Sequence, residues 1–324
     1  MLSDKEFREI YETRLREKLE ALETSRKKVL RRYGVGLLMF IALAVWNYSL
    51  VSLNPQEYLI IISIALSATG FLWYVIVTYK HKSRYRQSFK SNVVAEIVKL
   101  YNPEWQYHFD SCINQADYEK SGLFRQHVDR YSGDDLVVGQ IEKTDFQFSE
   151  LHTQYKQVTY GSKGQRREHW VTIFRGLFMH ADFNKNFSGT TSVLPDTAEK
   201  LFGAFGQSLQ KLSNRGDLVK LENQEFEKRF VVYSSDQVEA RYILTPSIME
   251  SMVNLSVHFG NSVYFSFVGS RVYFARSFSN GLFEPRLFRS GVNFNDVKEM
   301  FELFGMISVL VQELNLNTRI WTKE

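Results

Sequence analysis

Apolar residues recur every three or four positions through Phe7, Tyr11, Leu15, Leu19 and Leu22, with charged residues between them. That spacing predicts an amphipathic helix over residues 3–31, opened by Ser3 with Glu6 three positions on. The periodicity then gives way to two stretches that are apolar on every side. Tyr33 to Gln56 is a run of 24 residues without a charge, and Tyr58 to Tyr79 a run of 22. At about 1.5 Å of rise per residue, each is long enough to cross a hydrocarbon core. Two helices are expected, over about 34–53 and 58–78, joined by a tight turn at Asn54-Pro55. Trp46, Tyr48 and Tyr58 gather near one end of the pair, and Tyr33, Trp73, Tyr74 and Tyr79 near the other, as in interfacial aromatic belts. A buried helical hairpin in a soluble core is the alternative. A cleaved signal peptide is not expected, because the first run follows a long charged segment.

A second amphipathic stripe, Phe89, Val93, Val94, Ile97, Val98, Leu100 and Tyr101, follows the second run and stops at Asn102-Pro103. The two stripes are expected to face each other as a short antiparallel stalk, or else the first helix lies on a membrane or joins a second copy. From about residue 104 the period changes to two. Residues 136–141, 146–149, 154–160, 169–174, 176–183, 230–233, 263–268 and 272–278 read as strands, with hairpin turns at Gly161–Gly164 and Gly269-Ser270. Helices are expected from Asp196 to about Leu212, after Ser235-Asp236, from Thr245-Pro246, and from Asn295 to about Leu314. The fold class is therefore α+β: an N-terminal helix, a transmembrane helical hairpin, and a cytoplasmic, mostly antiparallel sheet with packed helices. The corresponding domains are 1–32 (cytoplasmic amphipathic helix), 33–79 (transmembrane hairpin), 80–103 (basic juxtamembrane helix) and 104–324 (cytoplasmic α+β domain).

Charge supplies the orientation. The chain of 324 residues has 40 Lys+Arg and 36 Asp+Glu, a net +4. Residues 1–33 hold 10 basic and 7 acidic residues, 79–90 hold 5 basic and none acidic, and 91–324 hold 25 basic and 28 acidic. The loop between the apolar runs has no Lys or Arg, so the positive-inside rule puts both termini and the main domain in the cytoplasm. The basic collar would also attract anionic lipid headgroups. A slightly acidic main domain argues against nucleic acid as partner. The single cysteine, Cys112, excludes a disulfide framework.

No P-loop, nucleophile elbow or His-Glu-x-x-His helix is present in the sequence. The seven histidines lack metal-ligand spacing, so neither a metal nor a cofactor is expected. Gly203 and Gly206 fall in a helical pattern, where close packing explains them better than a nucleotide loop does. Asp134-Asp135 follows Ser132-Gly133 in what reads as a solvated turn, with cation binding as the sharper alternative. Lys163, Arg166 and Arg167 cluster at a hairpin tip and are candidates for contact with lipid headgroups or an acidic partner. In the stretch Phe230–Pro246, Asp236 is expected to cap a helix, and Arg241 to pack its stem while its charge seeks Glu239 or Asp236. Asp236, Glu239 and Arg241 are thus candidate structural or interaction residues.

That stretch resembles the signature of a bacterial membrane-protein family known as domain-of-unknown-function family 3137. The resemblance extends through Ser121-Gly-Leu-Phe124, Tyr131-Ser-Gly-Asp-Asp135, Phe148-Ser-Glu150, Phe174-Arg-Gly-Leu-Phe178 and Leu282-Phe-Glu-Pro285, covering roughly 110–315 and the preceding spans. It implies a two-span bacterial inner-membrane protein with a cytoplasmic domain, and no activity. The expected function is a membrane-anchored binding or scaffold protein with a protein partner, with self-association through the N-terminal helix as one option. The alternative is a membrane-tethered enzyme acting on a lipid-linked or small substrate through residues distant in sequence. Transport ranks last, since the spans contain no charge.

Overall fold

The computed structural model describes residues 4–53, 56–160, 165–183, 186–196, 215–260, 263–278 and 281–318. They form two compact units, one of residues 1–97 with 283–301, the other of 98–282 with 302–324. Ser3, the Asn54-Pro55 turn, the 161–164 turn with Lys163, the glycines at 203 and 206, and the helix read from Asp196 to Leu212 (beyond Asp196 itself) lie outside the described residues.

In the first unit a near-continuous helix runs as α1 (Asp4–Ile10), a π turn (Tyr11–Leu15) and α2 (Arg16–Ser52). A second helix returns as α3 (Glu57–Phe89), a π turn (Lys90–Val94) and α4 (Ala95–Tyr101), ending where Asn102-Pro103 predicts. The expected stalk is present. Phe7, Tyr11, Leu15, Leu19 and Val29 are buried on one helix, and Tyr85, Phe89, Val93, Val94 and Ile97 on the other. Lys18 crosses to Glu96 at 2.7 Å. Residues 283–301 pack on the same helices. Arg26 donates to the Leu287 carbonyl at 2.6 Å, Gly291 N–H donates to Glu23, and Arg86 and Lys90 both pair with Glu284. The Phe294 ring lies beside Phe7 and Tyr11.

The second unit is built on one antiparallel sheet of nine strands, in the order β1-β2-β3-β4-β9-β8-β5-β7-β6. The strands are β1 (Gln106–His108), β2 (Arg130–Ile141), β3 (Thr144–Tyr160), β4 (Arg166–Asp182), β5 (Thr190–Pro195), β6 (Asp217–Val219), β7 (Phe230–Ser234), β8 (Val263–Val268) and β9 (Arg271–Ser277). The segment around α5 (Gln115–Lys120) covers one face. There Ile113, Tyr118, Leu123 and Phe124 pack with Phe174, Phe178, Tyr264 and Tyr273 from the strands. Behind the sheet lie α6 (Gln224–Glu227), α7 (Gln237–Ile243), α8 (Pro246–Phe259) and α9 (Phe294–Thr318), the last setting Phe304 against Phe148.

Two local expectations are corrected, and one strand is added. Asp134-Asp135 is not a solvated turn: both residues lie inside β2 at a register shift, with Asp135 at φ 59° and fully buried. The turn chemistry of Ser-Gly-Asp-Asp is absorbed by a bulge, which tolerates a left-handed residue in a strand. The last helix starts at Phe294, and the Asn293 side chain accepts the Asn295 N–H at 2.9 Å, so Asn293 rather than Asn295 caps it. Thr190–Pro195, left unassigned by sequence pattern, is a strand whose Pro195 ends the pairing with Phe230.

Candidate functional site

Three arrangements carry the chemistry of the second unit. At the junction of β7 and α7, Asp236 adopts extended backbone, and its Oδ1 accepts the N–H groups of Val238 at 2.8 Å and Glu239 at 3.0 Å. It is the cap expected of it. Glu239 does something the sequence did not reveal. Its carboxylate accepts Ser188 N–H (2.9 Å), Ser188 Oγ–H (3.1 Å) and Gly189 N–H (2.9 Å), clamping the entry of β5 onto α7. Gly189 is needed there, since a Cβ would meet Ser235 Oγ at 2.5 Å. Arg241 turns away from both acids and donates to the Gln237 carbonyl at 3.1 Å. Of the expected trio, Asp236 and Glu239 come together, while Arg241 serves its own helix.

The second arrangement is a polar row across the sheet. Gln147, His180, Tyr273, Ser266, Ser192 and Tyr233 are successive register partners, and so share one face. Asp117 of α5 closes over it. Its Oδ1 accepts from Arg271 at 2.8 Å, its Oδ2 accepts from Asn114 at 2.8 Å, and His180 Nε2 is 3.9 Å from Oδ2. His180 Nε2 and the Tyr273 hydroxyl are buried, and neither has a hydrogen-bond partner among the described residues. Burial first, and then the Arg271 cation, push the His180 pKa down to about 4 against the pull of Asp117, so the ring is neutral at pH 7. Ser266 Oγ–H donates to the Ser121 carbonyl at 2.7 Å, and buried Arg215 donates to the Gly122 and Leu123 carbonyls at 2.8 and 2.6 Å. Burial lowers the Arg215 pKa to about 10. These groups tie the covering segment to the sheet. Sequence spacing gives no sign of them, because they come from α5, β4, β8, β9 and the stretch before β6.

The third is a β-ribbon. β3 pairs with β2 as far as Gln154, and β4 pairs with β9 only from Gly176 onward. Between those limits β3 and β4 pair only with each other, from Tyr155↔Val171 to Tyr160↔Arg166. These six pairs extend about 20 Å. Lys156, Val158, Tyr160, Arg166, Glu168 and Trp170 lie on one face by register. Glu168 is held between Lys156 (2.5 Å) and Arg166 (2.6 Å), which keeps its pKa below the usual value, the Lys156 hydrogen bond contributing most. The Arg130 guanidinium stacks 4.0 Å from the Trp170 ring centre. Arg166 and Arg167 both lie on the ribbon, as expected, and both are exposed.

The apolar helices hold an arrangement of their own. Asn47 Nδ2 donates to Ser67 Oγ at 3.2 Å, Ser63 Oγ–H donates to Asn47 Oδ1 at 3.0 Å, and Trp46 Nε1–H reaches Ser63 at 3.2 Å. Beside this clasp is a groove of about 470 Å³ lined by Phe40, Leu43, Ile64, Phe71 and Val75.

An antiparallel α+β sheet unit, in a chain with two helices long and apolar enough to cross a membrane, is the class these features define. Residues 172–316 match the family described as "Protein of unknown function (DUF3137)". The matched segment runs from β4 to α9 and holds three of the motifs that carry the resemblance, Phe174–Phe178, Phe230–Pro246 and Leu282–Pro285; those before residue 172 lie outside it. No curated protein matches the chain. Among solved structures it is similar to the mycobacterial trehalose monomycolate transport factor A, TtfA, at 10% identity and a TM-score of 0.31, over 69% of this chain and 93% of that one.

Proposed function

We propose that the chain is a membrane-anchored binding or scaffold module, with both termini and the sheet unit on the cytoplasmic side of a bacterial inner membrane. One observation carries this reading. The most apolar windows of α2 and α3 have none of their residues buried. Leu37, Leu38, Phe40, Trp46, Ile61, Leu66 and Trp73 are all exposed. Soluble monomers rarely present apolar patches beyond a few hundred Å², so this surface calls for lipid. Arg26, Lys27, Lys28, Arg31 and Arg32 precede the first window, and Lys80, Lys82, Arg84, Arg86 and Lys90 follow the second. The binding role is supported by the exposed ribbon, whose aromatic and basic residues have no core to serve. In cells, the full chain is expected to stay in the membrane pellet through alkaline carbonate extraction. A phosphatase fused after Glu324 is expected to be inactive, and one inserted between residues 53 and 56 active. Release by carbonate would overturn the anchor, and the reverse phosphatase pattern the orientation.

A further inference from the structure

We propose that the β3–β4 ribbon, Tyr155–Tyr160 with Arg166–Ile173, is a docking surface for anionic phospholipid headgroups. This rests on the anchoring reading, and adds to it a second contact with the bilayer. An isolated two-stranded ribbon is marginal in water, and needs further strands, a helix or a partner to be held. This one has six such pairs, and Tyr160 (72% exposed), Trp170 (41%) and Val158 (36%) share one face. Residues 155–160 and 166–173 contain Lys156, Arg166 and Arg167 against Glu168 alone, a net +2. Since 91–324 carry 25 basic and 28 acidic residues, a net −3, the rest of that stretch is −5. The ribbon is thus a cationic projection from an acidic body.

The arrangement of side chains selects lipid as the occupant. Indole and phenol rings favour the interfacial layer, where an apolar body and a polar edge are both satisfied. Arg166 shares its face with Tyr160 and Trp170, Arg130 stacks on Trp170, and Arg167 lies on the opposite face, where it remains free to reach a phosphate. Glu168 is already neutralised by two cations, so it presents little repulsion to an anionic surface. A chain held at a bilayer by its own helices meets headgroups at high effective concentration, so even a weak electrostatic contact becomes populated.

The test is hydrogen exchange of the full chain in three settings: nanodiscs of phosphatidylcholine, nanodiscs containing about one third phosphatidylglycerol, and detergent micelles. Docking predicts that amides of 155–160 and 166–173 exchange about tenfold more slowly in the anionic discs than in the other two, and that raised salt removes the difference. The Arg166→Glu/Arg167→Glu variant should lose this protection while melting in detergent at the wild-type temperature. Equal exchange in both kinds of disc overturns the proposal. So does equal protection in micelles, which would assign the ribbon to a second copy or to its own body. The wild-type lipid comparison decides the matter even if the variant misfolds. Failure of the anchoring reading would show separately, as a chain that enters neither kind of disc.

Discussion

The buried imidazole of His180 makes acid stability a measurable property of the sheet unit. The groups facing it are Asp117 from α5 and Arg271 and Tyr273 from β9. Its folded pKa of about 4, against an ordinary 6.5, means that the unfolded chain binds this proton more readily than the folded one between those values. Above pH 6.5 both forms are neutral and the group has no effect. As pH falls from 6.5 toward 4 the unfolded state is favoured, and below 4 the full penalty is present. At about 1.4 kcal/mol per pKa unit the total is on the order of 3 kcal/mol, of which about 2–3 is reached by pH 4.5. For a unit of roughly 200 residues, that lowers the melting temperature by about 5–10 °C. The perturbation is His180→Phe, which fills the same space without a titrating group. The assay is thermal melting of the full chain in mild detergent at pH 7 and pH 4.5, followed by near-ultraviolet circular dichroism. Carboxylates titrate in both proteins, so the informative quantity is the extra loss in wild type. Equal losses in the two proteins would refute the assignment of a depressed pKa to His180.

Three further outcomes follow from the geometry. Asp236→Ala removes two cap hydrogen bonds and should cost about 0.5–2 kcal/mol, seen as a lower melting temperature, with Asp236→Asn costing less because Asn also caps. Glu239→Gln keeps the shape of the clamp but gives up the charge and one acceptor oxygen, so it should destabilise by about 1–3 kcal/mol and speed proteolysis at Ser188-Gly189. Gly176→Ala should abolish cooperative melting of the sheet unit in the detergent-extracted full chain, because its Cβ would stand 1.9 Å from the Arg276 carbonyl oxygen and force β4 away from β9.

Elements whose side chains repeat at one period over many residues were legible in the sequence. The stalk stripes, the β3–β4 and β8–β9 hairpins, the Thr245-Pro246 helix start and the Asp236 cap are all where local chemistry puts them. Legibility failed where tertiary pairing overrode a local signal. Ser132-Gly-Asp-Asp135 has turn chemistry, yet its neighbours on both sides pair with β3, and the extra residue becomes a bulge with Asp135 accepting a hydrogen bond from the Tyr107 hydroxyl. Thr190–Pro195 is too short and too polar at its start to announce a strand, and is one because β7 and β8 flank it. The charge of Arg241 calls for a carboxylate, but Glu239 is occupied by backbone N–H groups from a segment about fifty residues away. The polar row shows the same limit. Asp117, His180, Arg271 and Tyr273 converge from three elements, and no spacing along the chain relates them.

On the proposed reading, the place where helix α2 meets the bilayer is written in a change of burial period rather than in any break of the helix. From Leu15 to Val29 the buried positions form one stripe, at Leu15, Leu19, Leu22, Arg26 and Val29, and the intervening residues are charged or polar apart from Ala21. From Val35 onward the stripe disappears, and large apolar residues occupy every side of the same helix. A partner helix can cover only one stripe of another, so α3 satisfies the first segment and leaves most of the second uncovered. The remaining surface is compatible with water only if its side chains are polar, and they are not. Lys27, Lys28, Arg31 and Arg32 sit just before the change on α2, and Lys80, Lys82 and Arg84 at the corresponding place on α3. Long cationic side chains at that level can keep their heads at the interface while their stems extend along the apolar helix. Within the windows, the Asn47–Ser63–Ser67 clasp follows the same logic. Polar groups deprived of water pair with each other across the two helices, and hold them in register by hydrogen bonds that lipid cannot replace.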